Sequence, residues 1–282
     1  MKKIGFIDYY LHNWHSDHYP ALIDKYSDGE MKVCYAYGCD DAPLDGGKMS
    51  NREWAEKNGI EYCETIDEVV EKSDYLVVLS PNDPDQHLRL CEKPLMSGKP
   101  VYIDKTFAPD KETAIKIFDI ADKYNTPCFS CSALNFADEY QDLVKERDNI
   151  LTMRLSSPNA FEIYSIHMIE PIVKLMAEPA KRVMCVGAMP FPSIVVEFES
   201  GRTAQFSTYI SGVAMSAIVG FNDGKARTLD IKSPFFDNFI KGMVEFFRTA
   251  EMPVPHSQTI DVIGIRTTAL KALETPFVWL DI

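Results

Sequence analysis

Residues 73–107, SDYLVVLSPNDPDQHLRLCEKPLMSGKPVYIDKTF, decide the fold. The apolar run at 75–79 is short, β-rich and flanked by charge. Such a run predicts a strand buried on both faces of a parallel sheet. Ser80-Pro81-Asn82-Asp83-Pro84 cannot continue it, and residues 85–96, with Leu88, Leu90, Cys91 and Leu95, read as a helix stopped by Ser97-Gly98-Lys99. A second buried strand at 100–103 then ends in Asp104-Lys105-Thr106. One βαβ unit therefore brings two loops to one sheet edge, the edge where open α/β sheets place their ligands.

Outward from that unit, the first part of the chain alternates strand and helix. Strands are expected at 4–7 and 31–37, helices at 19–26, 51–58 and 67–72, and a helix after Asp110 carries the stripe Ala114, Ile117, Phe118, Ala121. A strand at 128–133 completes an α/β, doubly wound parallel sheet. From about Leu134 the pattern changes to successive strands at 150–156, 182–188, 193–199, 203–210, 216–221 and 227–231. Turns such as Asn222-Asp223-Gly224 join them. A helical insert at 166–176 interrupts these strands. Helices at 235–250 and 259–272 and a strand at 277–280 close the chain. The expectation is a second α+β domain with a mostly antiparallel sheet.

The 282 residues carry a formal net charge of −13 and are 46% hydrophobic, which suits two globular domains. Nucleic acid and anionic membrane are poor partners for such a surface, because phosphate binding needs clustered Lys and Arg. A small-molecule substrate is the better expectation. Met1-Lys2-Lys3 runs straight into a strand, and no run of about 18 apolar residues offers a membrane span, so a cytoplasmic location is expected. Seven cysteines, an odd number, read as reduced thiols. Cys128-Phe-Ser-Cys131, a lone pair lying in a strand, favours a packing role over a metal. His12, His15 and His18 likewise favour a loop and helix start, and no metal is expected. Asp40, Asp41, Pro43 and Asp45, after the second strand, admit two readings: acids for ribose hydroxyls, or a solvated turn.

The order of these features resembles the glucose-fructose oxidoreductase, inositol dehydrogenase and MocA (Gfo/Idh/MocA) family. Residues 81–87 with Ser97-Gly98-Lys99-Pro100-Val101 are similar to its loop, helix and GKHV strand. Asp104-Lys105-Thr106 stands at its Glu-Lys-Pro, Asn135-Phe136 at its Arg-Phe, and Ser165-Ile166-His167-Met168-Ile169-Glu170 at its Gly-x-His-x-x-Asp. The resemblance implies a dinucleotide-binding (Rossmann-like) domain at 1–132 and a substrate-binding and oligomerisation domain at 133–282. It implies an NAD(P)-dependent oxidoreductase acting on a sugar, cyclitol or similar polyhydroxylated molecule, assembled as a homo-oligomer. Catalysis would fall to Lys105, His167 and Glu170, and cofactor binding to Ile7, Asp8, Tyr10, Asp40, Ser80, Pro81, Asn82, His87, Asp104 and Lys105. NAD is expected over NADP, because acids at 40 and 41 would repel a 2′-phosphate. The chain departs from the family at the first turn: where Gly-x-Gly-x-x-Gly should stand, it reads Asp8-Tyr9-Tyr10-Leu11-His12-Asn13. Tyr10 would obstruct a pyrophosphate and Asp8 would add like charge. The alternative is therefore the same fold without dinucleotide binding, acting as a non-redox enzyme or a small-molecule-binding protein. Val195, Phe198, Phe206 and Tyr209 are candidates for the uncovered face through which copies would pair.

Overall fold

The computed structural model describes residues 1–40, 48–80, 82–187 and 189–282, and the chain divides into two compact units. The first comprises Met1–Cys131 with Phe239–His256. Its elements are β1 (Lys2–Asp8), α1 (Trp14–Tyr26), β2 (Met31–Gly38), α2 (Asn51–Asn58), β3 (Glu61–Tyr62), α3 (Ile66–Lys72), β4 (Tyr75–Val78), α4 (His87–Leu95), β5 (Val101–Ile103), α5 (Lys111–Lys123) and β6 (Cys128–Phe129). The six strands lie in the order β3-β2-β1-β4-β5-β6, and every pairing is parallel. This is the 3-2-1-4-5-6 order of a doubly wound dinucleotide fold, with the order reversing between β1 and β4. Ile4, Phe6, Leu76, Val77, Val78, Val101, Tyr102 and Ile103 are buried, which is why these strands read as unbroken apolar runs.

Local chemistry sets the helix ends. Ser50 caps α2 in a capping box with Glu53, Gly59 closes it in the left-handed conformation, and Asp110 caps α5 through the Thr113 amide. Gly5 lets α3 lie so close to β1 that a Cβ there would collide with Val69 and Ser73. The expected helix at 85–96 opens as a 3₁₀ turn, Pro84–Gln86, before α4. The strand expected at 128–133 is shorter: its ladder to β5 ends at Phe129.

The second unit is Ser132–Asn238 with Ser257–Ile282. It holds α6 (Asp138–Leu143), β7 (Ile150–Pro158), α7 (Phe161–Tyr164), α8 (Ile166–Met176), β8 (Ala180–Val186), β9 (Ser193–Phe198), β10 (Thr203–Tyr209), β11 (Ser216–Phe221), β12 (Ala226–Asp230) and most of α10 (His256–Glu274), then β13 (Trp279–Asp281). Between them α9 (Phe235–Thr249) runs from the second unit into the first. There Phe239 meets Tyr102, Phe246 meets Phe129 and Phe247 stacks on Tyr75, at centroid distances of 5.3, 4.8 and 4.9 Å. Those rings are why a Phe-rich helix late in the sequence packs with the first sheet.

The second sheet runs β12-β11-β7-β10-β9-β8-β13, antiparallel except for the β7–β10 pair. Burial alternates along β9 and β10, and this corrects the expected pairing surface. Phe198 and Phe206 are buried, Phe206 stacking on Phe161 of α7, whereas Val195 and Tyr209 point to the opposite face. That face is mixed: Arg154, Ser156, Gln205 and Ser207 line a depression of about 300 Å³ together with Tyr209 and Ile218. All seven cysteines are free thiols. Among the described residues, no helix is long and apolar enough to cross a membrane.

Candidate active site

The carboxyl edge of the first sheet gathers most of the residues singled out in the sequence. Ile7 is buried in the β1 core, its carbonyl accepting from the Leu79 amide, and Asp8 follows at the strand end with no exposed surface. Asn13 Nδ2 donates to Asp8 Oδ2 at 2.8 Å, while Asn13 Oδ1 accepts from the amides of His15 and Ser16 and so caps α1. Burial, opposed by the bonds from Asn13 and the Tyr9 backbone, pushes the Asp8 carboxyl up to about 8; the nearby Asp104 adds to the rise.

A second brace comes from α2. The Leu11 amide donates to Asn51 Oδ1 at 2.7 Å, and Asn51 Nδ2 donates to the Asp40 carbonyl at 2.9 Å. Gly38 makes the approach possible, since a Cβ there would overlap the Asn51 side chain. Asp40 is exposed, and its carboxylate raises the neighbouring Tyr9 phenol. Tyr10 is half-buried, with the Lys48 ammonium 4.7 Å from its ring centroid.

On the β4 and β5 side, Ser80 Oγ donates to the Asp83 carbonyl at 2.8 Å and Asn82 holds a φ of 66°. Asp104 is buried: Tyr102 donates to its Oδ1 at 3.2 Å, and its Oδ2 lies 3.9 Å from His15 Nδ1. His87 is fully buried, with Nδ1 at 3.0 and 3.1 Å from the carbonyl oxygens of Thr106 and Phe107. Burial lowers both the His15 and His87 imidazoles, so both are neutral at pH 7. Lys105 is half-buried beside them. Pro81 and the acids Asp41 and Asp45 lie outside the described residues, as do Pro43 and Ala188.

In the second unit His167 sits in the first turn of α8, half-buried, its ring edge-on to Tyr164 at 4.9 Å. Glu170 is buried, and both its oxygens accept from Ser132: Oε1 from the amide at 2.7 Å, Oε2 from the hydroxyl. One turn further, Lys174 Nζ donates to the Asn135 carbonyl at 3.0 Å. Glu170 and Lys174, one turn apart on α8, thus grip the 132–136 segment through three charged hydrogen bonds.

A dinucleotide fold presents its pyrophosphate to free amides at the first helix. Here the amides of Leu11, His15 and Ser16 are taken by Asn51 and Asn13, and the acid of Asp8 fills the turn. The turn therefore does not fit a pyrophosphate in the glycine-loop pose. Reading the sequence missed this bracing and Ser132; it placed His15 at a helix start, as α1 does, but not beside Asp104. The Asn13 cap was the available signal, but the apolar periodicity that marks α1 begins only near Tyr19, which hid the helix's true start at Trp14.

Residues 42–131 match the sequence profile described as "Oxidoreductase family, NAD-binding Rossmann fold" (GFO_IDH_MocA). No curated protein sequence matches. Solved structures with the same fold include a probable dehydrogenase from Thermotoga maritima, 14% identical, with TM-score 0.80 over 99% of this chain and 98% of that one. Another is scyllo-inositol dehydrogenase from Lactobacillus casei with bound NAD(H) and scyllo-inositol, 15% identical, with TM-score 0.80 over 100% and 99%. A third is the WlbA dehydrogenase from Bordetella pertussis in complex with NADH and UDP-GlcNAcA, 11% identical, with TM-score 0.77 over 99% and 98%. Residues 42–131 thus match an NAD-binding Rossmann profile of the oxidoreductase family, and the whole chain has the two-domain fold of these dehydrogenase structures.

Proposed function

We propose that this protein is an oxidoreductase that uses NAD in preference to NADP and acts on a hydroxyl of a sugar, cyclitol or related polyhydroxylated small molecule. The observation that carries the reading is the family match over residues 42–131, which spans the strand and loop bearing Asp104 and Lys105. Oxidising a secondary alcohol requires a base for the hydroxyl proton and a cation beside the developing alkoxide. His167 is assigned the first role and Lys105 the second. Glu170, with both oxygens on Ser132, is assigned to hold α8 and with it His167. The nicotinamide, when bound, supplies the hydride acceptor. Asp40 is assigned to ribose hydroxyls, where its charge disfavours a 2′-phosphate.

In this reading residues 1–132 serve the cofactor and 133–282 the substrate and self-association, as a dimer or tetramer working in the cytoplasm, where the free cysteines stay reduced. The test is a titration with NAD and NADP, followed by a polyol panel monitored by nicotinamide absorbance. NAD reduction with at least one polyol supports the reading, and none with any polyol removes it. One observation favours a second reading, a non-redox enzyme or binding protein on the same fold: the β1–α1 turn is filled by its own side chains.

A further inference from the structure

Nine arginines stand in the sequence, and eight of them make an ion pair or a hydrogen bond among the described residues. Arg154 of β7 makes neither among those residues. It is exposed and stands in the depression of about 300 Å³ on the open face of the second sheet. Its neighbours across the strands are Ile218 of β11 and Gln205 of β10, neither of them charged. Glu197, on the same face two strands away, is held by Arg182 at 2.6 Å. An unanswered guanidinium inside a concave patch, on a chain of net charge −13, marks a place for an anion. We propose that the depression binds the carboxylate of a small polyhydroxylated acid. The site belongs to the second unit alone and requires neither a nucleotide nor Lys105.

The strands supply the remaining donors. Residues two apart on a strand share a face, and neighbouring strands lie about 4.8 Å apart. Ser216, Ser156 and Ser207 therefore form a row across β11, β7 and β10, one step along the strand from Arg154. Ser156 and Ser216 share one hydrogen bond at 2.9 Å, so one of their two hydroxyl hydrogens stays available. The Ser207 hydroxyl has no hydrogen bond among the described residues. A planar guanidinium takes a carboxylate through two parallel bonds, and neighbouring hydroxyl donors serve its outer lone pairs. One carboxylate also matches one cation, whereas a phosphate dianion would leave net charge among neutral groups.

The rest of the lining suits the hydroxyls of such an acid. Gln205 Nε2 donates to Ser193 Oγ at 2.7 Å, which leaves Oε1 as an acceptor. The Tyr209 hydroxyl, without a hydrogen bond among the described residues, offers a donor and an acceptor, and its ring and Ile218 supply apolar walls. The volume lies at the lower end of small-molecule pockets, which run from about 300 to 1,000 Å³, and so limits the ligand to a small one.

The test titrates D-gluconate and D-glucitol, which differ by a carboxylate in place of a terminal hydroxymethyl group, into the full chain by calorimetry at low salt. Gluconate is expected to bind saturably and at least about tenfold more tightly than glucitol, as a charged hydrogen-bonded pair supplies. Arg154→Gln, at an exposed position, should keep the thermal midpoint and bring the two ligands within about twofold. Ser207→Ala should weaken gluconate about fivefold, a readout that stands if Arg154→Gln fails to fold. Lys105→Ala should leave gluconate affinity unchanged, which separates this site from the substrate site proposed above. Absence of saturable gluconate binding, equal binding of gluconate and glucitol, or a preference undiminished in Arg154→Gln overturns the proposal. A preference lost in Lys105→Ala, or displacement of gluconate by an equal concentration of inorganic phosphate, overturns it as well. So does a fall in the sedimentation coefficient of Arg154→Gln, because the face would then be an interface between copies of the chain.

Discussion

Asp8 is the residue on which sequence and structure press hardest. Its carboxyl has a native value of about 8 against an ordinary 3.8, with burial as the main cause, so the folded protein holds a proton that the unfolded chain releases. Between those values the native state binds more protons, and the sign of the linkage makes stability fall as pH rises from about 4 to 8. Asp8→Asn should remove that slope while keeping an acceptor near Asn13. Thermal unfolding of the two proteins from pH 5 to 9 checks this: the wild-type melting temperature should drop relative to the variant as pH rises, and parallel curves would contradict it. Ser132 offers a second test at this scale. Ser132→Ala leaves Glu170 Oε2 without its hydroxyl donor in a buried place and should cost about 1–3 kcal/mol in urea unfolding. A loss near zero would mean that the carboxylate finds another partner. Lys105, His167 and Glu170 were singled out because their motif order resembles the family's. The partners of Asp8, His15 and Ser132 were not legible, because they depend on which atoms these residues face after folding.

At the scale of elements, the βαβ unit at 73–107 was legible because a fully buried parallel strand leaves an unbroken apolar run between breakers. α2 matched its expected span of 51–58 because its cap and its terminating glycine are both local signals. Where ends depended on tertiary partners, the reading slipped. β6 ends at Phe129 rather than at 133, and Ser132 gives its amide to Glu170 instead. The open face of the second sheet was expected to be apolar, but period-2 alternation places Phe198 and Phe206 on the covered side. The β1–α1 element makes its own prediction. Asn13→Ala removes the acceptor for two helix amides and the donor to Asp8, so it should cost at least the 0.5–2 kcal/mol typical of a lost N-cap, about 1 kcal/mol or more by denaturant melt. A neutral result would show that the turn does not depend on its cap.

At the scale of the whole molecule, the doubly wound sheet, the mostly antiparallel second sheet and the family resemblance were all legible in the sequence. The return of residues 239–256 to the first unit was not. A linear reading places a late helix with its neighbours in the chain, whereas ring packing on Tyr75, Tyr102 and Phe129 places it elsewhere. The functional account joins an oxidoreductase fold to a first turn that has spent its amides on its own side chains. Whether a dinucleotide still binds is its central question, and calorimetric titration of the full chain with NAD and NADP at low salt answers it most directly. The account predicts saturable NAD binding with NADP at least tenfold weaker, the acid at position 40 opposing the extra phosphate. Absence of saturable binding of either nucleotide, or NADP binding as tight as NAD, would contradict it.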